Sequence, residues 1–435
     1  MPNEERFPHL KVTDPQVYDL IQRQIALESS TLKMIASENF ASFSVIEATG
    51  SSLTNKYCEG YPGARYYEGN EVMDEVENLA IDRLKALFGA EHANVQPCSG
   101  SPANQAVYRA IMTPGDKVMG IPVSDGGHLT HGWKVNFSGR DYVQVPFGPS
   151  PVTGILDYDQ IREIALRERP RMIWCGTTAY PRTIDYKAFS DIATEVGAYL
   201  VADIAHISGL VAAGVHPNPV PYCDVVSSTT HKMMRGPRSG FILSRIEDRY
   251  QQKYYPDSKF NLARRIDRAV FPSLQGGPHM NVVAAMAVAF GEAATDSFKA
   301  YAQQVVKNAR HLGSVLQAGG INLACGGTDT HMLLLDFRDK EYTGKDASQA
   351  LARAGIIANF NMVPGDTRKP TVTSGVRMGT PSLTSMGMVE SDMDKVGEWI
   401  LRVLNALPNS EEVEKTVRAE IAEYCKQFKI PGIRD

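Results

Sequence analysis

The sequence has no apolar run of the ~18–20 residues needed to cross a bilayer, which excludes a transmembrane helix of the ordinary kind. It has no excess of one charge: 45 Lys and Arg face 49 Asp and Glu, for a formal net charge of -4. That balance offers no general attraction for nucleic acid or for an anionic membrane surface. Cysteine is sparse and scattered, at Cys58, Cys98, Cys175, Cys223, Cys325 and Cys425, with no CxxC and no zinc spacing. Free thiols in a reduced, cytoplasmic setting are the simplest expectation. There is no low-complexity tract and no internal repeat. The N-terminal MPNEERFPHL is polar and mixed in charge, unlike a signal peptide. A metal is not expected either: His128 and His131 in GGHLTHG stand at i, i+3, but no third ligand of suitable spacing is apparent. An imidazole stacked on an aromatic cofactor suits that motif better.

What is present is enough for two cores. The chain has 435 residues, of which 43% are hydrophobic. Helical spacing of apolar residues marks 14–29, 44–54 and 72–88. Short apolar runs bounded by Gly, Pro or Asp follow at 117–120, 171–176, 198–203, 224–227 and 240–243. Short apolar strands separated by helical segments predict a largely parallel sheet covered on both faces. From about Val282 the pattern reads as one long helix to Ala318. A strand at 331–337 and helices at 347–354 and 390–407 then suggest a smaller α+β domain, its boundary falling near 285–300.

Four segments carry candidate chemistry. In AYLVADIAH a buried strand delivers Asp203 to its C-terminal end, the edge where open α/β sheets bind ligands. A carboxylate there suits a buried cation such as a protonated pyridine nitrogen; it equally suits a helix N-cap. In SSTTHKMMRG, Lys232 follows another strand-like run. A nucleophilic lysine must be neutral, and His231 and Arg235 are the expected sources of positive charge that lower its pKa. A surface lysine in a polar loop is the plain alternative. PCSGSPAN places small residues at a helix N-terminus, where backbone N–H groups and the helix dipole attract phosphate, and Gly276–Gly277 could add a contact. In TSGVRMGTP a single arginine, Arg377, stands among small residues, as a bidentate carboxylate clamp or a structural ion pair requires.

Together these segments resemble serine hydroxymethyltransferases over nearly the whole chain. The resemblance runs in order through IASENF (35–40), GSSLTNKYCEGYPGARYYEG (50–69), NVQPCSG (94–100), GGHLTHG, VADIAHISGLVAAGVHP (201–217), STTHKMMRGPRSG (228–240), QGGP (275–278) and VPGDTRKPTVTSGVRMGTP (363–381). It implies a pyridoxal-phosphate (PLP) enzyme of fold type I. The fold expected is a large, mostly parallel seven-stranded sheet domain plus a smaller C-terminal α+β domain. The divisions expected are an N-terminal arm over 1–45, a PLP-binding domain over 46–290 and a small domain over 291–435. The enzyme is expected as a homodimer or a dimer of dimers with shared active sites.

Carried over by position, the resemblance implies that Lys232 holds the cofactor covalently, beside His231. Asp203 pairs with its ring nitrogen, His128 stacks on the ring, and His206 lies near ring and substrate. Ser99 and Gly100 bind the phosphate, with Gly277 reaching in from the partner subunit. Thr178 stands close to the cofactor. Arg377 takes the substrate carboxylate, helped by Ser37. Tyr57, Glu59 and Tyr67 match residues donated across the dimer interface, Glu59 handling a proton of the substrate hydroxyl or of the folate adduct. Tyr66, Gly127, Leu129 and Asn361 fall where the family contacts folate. The implied reaction converts serine and tetrahydrofolate to glycine and methylenetetrahydrofolate. This sequence departs from the usual pattern at Cys98, Thr178, Glu68 and Thr371, where histidine, serine, glycine and phenylalanine are usual, and in the residues after Lys232. Those departures leave a second reading: a hydroxymethyltransferase or folate-independent aldolase acting on α-methylserine, with D-alanine as the product.

Overall fold

Seven strands build the larger sheet: β1 (His92–Asn94), β2 (Lys117–Gly120), β3 (Val143–Pro146), β4 (Met172–Trp174), β5 (Tyr199–Asp203), β6 (Val225–Thr229) and β7 (Gly240–Ser244). They come from a computed structural model that describes residues 7–434, so the first six residues of the expected arm lie outside the described residues. The spatial order is β1-β7-β6-β5-β4-β2-β3. Only β7 runs opposite to the other six strands. This is the mostly parallel, seven-stranded sheet expected from the sequence. Every residue of β5, β6 and β7 is buried, which is why these strands read as continuous apolar runs and not as alternating patterns.

The two-residue period of a strand divides those side chains between two apolar layers. Val118, Trp174, Tyr199, Val201 and Val225 pack with the helix Gly100–Ile111. Met119, Ile173, Leu200, Ala202 and Val226 face the other way, toward Glu71–Phe88, Tyr186–Val196 and Met280–Ala293. By the same parity Asp203 and Ser227 fall on the side of the helix Gly100–Ile111. Strand parity thus aims Asp203 at the helix whose N-terminus carries the PCSG turn.

A second, antiparallel sheet has the order β8 (Asn322–Leu323), β9 (Met332–Asp336), β11 (Gly375–Gly379), β10 (Asn359–Asn361). Its core takes in Leu32, Met34 and Phe40 from the N-terminal segment, where Leu32–Lys33 pairs in parallel with Ile356–Ile357. The long helix expected over 282–318 is two helices, Met280–Ala293 and Asp296–Ala318. The break is local chemistry: the Thr295 hydroxyl accepts from Phe298 N at 3.3 Å, an N-cap that starts a new helix with Asp296 in its first turn. Phe298 to Val306 of this second helix pack in the larger core, and Leu312 and Leu316 in the smaller one. Strands β1 and β3, at the two edges of the large sheet, are only partly buried and carry polar residues (His92, Asn94, Gln144), so they show no continuous apolar run.

Candidate active site

Asp203 ends β5 and is the centre of a hydrogen-bonded network. Its Oδ2 accepts from Asn104 Nδ2 at 2.9 Å and His131 Nε2 at 3.1 Å, and its Oδ1 accepts from Ala205 N at 3.1 Å. Asn104 sits in the first turn and a half of the helix Gly100–Ile111. It also donates to Thr130 Oγ1 at 2.8 Å and accepts from Ser227 Oγ at 2.5 Å. The His131 ring stacks on Trp174 with centroids 5.0 Å apart, which fixes its plane. Burial alone would raise the carboxyl pKa of Asp203. The His131 hydrogen bond and the nearby His128 and Lys232 outweigh burial and hold it well below the usual range, so it is anionic.

Lys232 lies in the loop after β6, closed by Thr230 Oγ1 donating to Pro237 O at 2.5 Å and Gly236 N donating to Thr230 O at 2.8 Å. Its amine is pushed down to about 8, mainly by burial and helped by Arg377 and Arg238, against the pull of Asp203. The expected helpers, His231 and Arg235, are not the source. Burial lowers His231 to about 3, so its imidazole is neutral. Arg235 has a left-handed backbone (φ 56°), and its guanidinium lies 4.3 Å over the Tyr301 ring. His231 borders a neighbouring groove with Ser37, Glu38, Asn39 and Arg238, whereas Lys232 borders the cleft with Gly100, His128, Thr178, Asp203 and His206.

That cleft fits the cofactor expected from the sequence. The Ser99 side chain makes no capping hydrogen bond to the helix it precedes, so first-turn N–H groups stay available for a phosphate. Gly100 is required there, because a Cβ would come 2.6 Å from Thr229 Cγ2. His206 is buried with no partner on Nδ1, and its ring stacks on His331 (centroids 5.8 Å apart). Burial also holds His128 down to about 4, so a neutral imidazole faces the cleft. An anionic carboxylate, a neutralisable amine and free helix N–H groups form the donor set that a phosphorylated pyridine aldehyde requires.

Arg377, on β11, brings the second sheet to the same cleft. Nη1 donates to Thr178 O at 2.7 Å and Nε to Asn359 Oδ1 at 3.2 Å. It is 8% exposed, and among the described residues no carboxylate pairs with it, so the structural ion pair is not the arrangement found. A buried guanidinium facing only neutral acceptors keeps its charge uncompensated, an environment that favours an anion beside it.

The remaining expected residues form a group of their own. Tyr57 OH donates to Glu59 Oε1 at 3.4 Å, and the Tyr57 and Tyr67 rings meet edge-on with centroids 5.3 Å apart. A Cβ on Gly277 would touch the Tyr57 ring at 3.4 Å, and one on Gly276 would meet Glu59 Oε1 at 3.1 Å. Tyr66 packs on Phe271 but is 70% exposed, and Leu129 is also exposed. Gly127 is pressed against Ile121, whose carbonyl oxygen leaves no room for a side chain. Asn361, on β10, pairs with Gly375 of β11, the strand of Arg377. No hydrogen bond or ring contact joins Tyr57, Glu59 or Tyr67 to the Lys232 cleft among the described residues. Within the described residues they form two separate groups.

His128, His131 and Asp203 do converge, their potential ligand atoms lying within 4.8 Å of one another. The third ligand not apparent from spacing is thus Asp203, brought in by the fold. These atoms are already engaged: His128 Nδ1 with Thr130 Oγ1 at 2.7 Å, and His131 Nε2 with Asp203. Residues that sequence reasoning missed are Asn104, Ser227, His331 and Asn359. Asn104 had a readable signal, since it lies four residues after Gly100 on the same helix face; His331 had none.

The serine hydroxymethyltransferase family profile matches residues 10–400. A protein named serine hydroxymethyltransferase 2 from Mesorhizobium japonicum is 62% identical over 97% of this chain and 96% of its own length. Serine hydroxymethyltransferases from Sorangium cellulosum and a Nostoc species are 51% and 50% identical, over 98% and 96% of this chain and 97% and 95% of theirs. The chain belongs to the serine hydroxymethyltransferase family.

Proposed function

Proceeding from that membership, we propose that Lys232, Asp203 and Arg377 carry hydroxymethyl transfer from serine to tetrahydrofolate in this chain. The family makes the protein a PLP-dependent transferase with a folate co-substrate. The observation behind the residue roles is Arg377: a buried guanidinium without an acid partner among the described residues, in one cleft with an anionic Asp203 and a depressed lysine. Relatives at 50–62% identity are named for serine, which does not favour α-methylserine as the substrate.

Lys232 holds the cofactor through its neutral amine, with His231 beside it in sequence. Asp203 keeps a proton on the ring nitrogen, and the helix N–H groups at Ser99 and Gly100 take the phosphate. When bound, PLP supplies an electron sink for the pair left as the Cα–Cβ bond of serine breaks. Arg377, with Ser37, orients the substrate carboxylate. His128, His206 and Thr178 wall the cleft and exclude water. Glu59 holds or delivers the proton of the serine hydroxyl, positioned by Tyr57 and Tyr67, and Gly277 adds a backbone contact to the phosphate. Tyr66, Gly127, Leu129 and Asn361 receive the folate.

The proposed working unit is at least a homodimer whose partner supplies the Tyr57–Glu59 group; it is supported by the lack of any direct contact between that group and the Lys232 cleft among the described residues. The cytoplasm is the proposed location, supported by six free cysteines; no helix of the described residues is long and apolar enough to cross a membrane. Borohydride reduction of the holoprotein followed by peptide mapping should place the label on Lys232, and Lys232→Gln should lose label and activity together. A label on any other side chain would overturn the assignment. Mixing Lys232→Gln with Glu59→Gln protein should restore up to about a quarter of wild-type activity if sites are shared in a statistically mixed dimer. No recovery after confirmed subunit exchange would refute sharing.

A further inference from the structure

Asn39, in the segment 35–40, is used by no step above, yet its amide is fully engaged. Nδ2 donates to the Lys232 carbonyl at 3.1 Å and to the Tyr301 hydroxyl at 2.8 Å. Oδ1 accepts from Phe40 N at 2.9 Å and from Ser385 Oγ at 2.7 Å. Two donors and two lone pairs are all a side-chain amide has. The Lys232 carbonyl also accepts from Arg235 N at 3.1 Å. The Tyr301 hydroxyl donates in turn to Pro381 O at 3.3 Å, and the Tyr301 ring carries the Arg235 guanidinium. The lysine loop is thus gripped at Lys232 by Asn39 and at Arg235 by Tyr301, and the two grips are bonded to each other.

The other end of this linkage is the strand of Arg377. Pro381 and Ser385 belong to the short helix Pro381–Ser385, which starts one residue after β11. Lys232 follows β6 of the larger sheet, whereas Ser385 follows β11 of the smaller one. Phe40, next to Asn39, is buried in the smaller core. Asn39 therefore stands at the seam between the two cores and touches both active-site strands' continuations.

We propose that Asn39 is a positioning residue that fixes the main chain of Lys232 relative to Arg377, and so keeps the cofactor amine in register with the carboxylate clamp. The inference rests on the roles given to Lys232 and Arg377 above. Register matters because a displacement near 1 Å at reacting groups costs about 10²-fold in rate. A polar side chain with every bond satisfied holds such a register better than apolar packing, which tolerates sliding.

The test uses Asn39→Asp, which keeps the size but loses both N–H donors, with Tyr301→Phe and Ser385→Ala as milder variants. Two readouts are taken: serine kcat/KM of the holoenzyme, and hydrogen–deuterium exchange of the 230–238 peptide in the apoprotein. Asn39→Asp is expected to exchange that peptide faster and to lower kcat/KM about tenfold to a hundredfold. Tyr301→Phe and Ser385→Ala should show the same loop effect more weakly. If Asn39→Asp folds with unchanged exchange and unchanged kcat/KM, the proposal fails. If it does not fold, unchanged exchange in both milder variants overturns it. The exchange readout needs no cofactor, so it is separate from the Lys232 assignment, which the borohydride label tests on the wild-type enzyme.

Discussion

The Lys232 cleft and the Tyr57–Glu59–Tyr67 group differ in how far one chain completes them. Around Asp203 nearly every polar atom has a partner, and the parts come from β5, β6, the helix Gly100–Ile111 and the GGHLTHG turn. Around Glu59 the aromatic side chains are open: Tyr57 is 58% exposed and Tyr67 47%. Their supports lie underneath, where Arg65 pairs with Asp74 and Glu77 and donates to the carbonyls of Cys58 and Gly60. The backbone of the exposed group is therefore firmly held, while its side chains contact one another and the Gly276–Gly277 turn and remain largely open to solvent. A buried network is paid for within one fold, whereas an exposed functional cluster on a rigid base is what a second surface completes.

The contrast can be broken by substitution. Glu59→Gln should lower kcat by about 10²–10⁴-fold, the usual worth of general acid–base help, while leaving cofactor content and the visible absorption of the bound cofactor unchanged. Loss of the cofactor in that variant would place Glu59 in the wrong half. Arg377→Lys keeps the charge but loses the fork; KM for serine should rise about tenfold or more with PLP content intact. An unchanged KM would show that the carboxylate binds elsewhere. The mildest effect separates the halves by pH. Capture of PLP by the apoprotein needs neutral Lys232, so the capture rate should rise with pH and level off above about 8, not near the ordinary lysine value. Asp203 opposes the lowering and Arg377 assists it. Asp203→Asn should therefore shift the inflection to lower pH and Arg377→Ala to higher pH, whereas Glu59→Gln should leave it in place; stopped-flow absorbance reads all three.

Much of this is legible in the sequence. The strands β2, β5, β6 and β7 announced themselves because double-sided burial demands continuous apolar runs. Asp203 and Lys232 stood out because each follows such a run. The break at Thr295 was missed because apolar spacing is preserved across it and only a threonine cap interrupts the backbone. The sources of positive charge around Lys232 were misassigned to its sequence neighbours. Arg235 is turned onto Tyr301 by its left-handed backbone, and His231 is neutralised by burial.

By itself the sequence determined the identity of the chemical parts and their order: a lysine after one strand, an aspartate after another, an arginine among small residues, a glycine turn before a helix. These are local facts, written in spacing and residue type. Only the tertiary structure decided which of them meet. The encounters of Asp203 with Asn104 and His131, of Lys232 with Asn39, and of Arg377 with Thr178 span from 72 to 199 residues of chain. The physical reason is that the protonation state of a buried group is set by whatever surrounds it in space, and that neighbourhood is fixed by strand parity and packing between two cores.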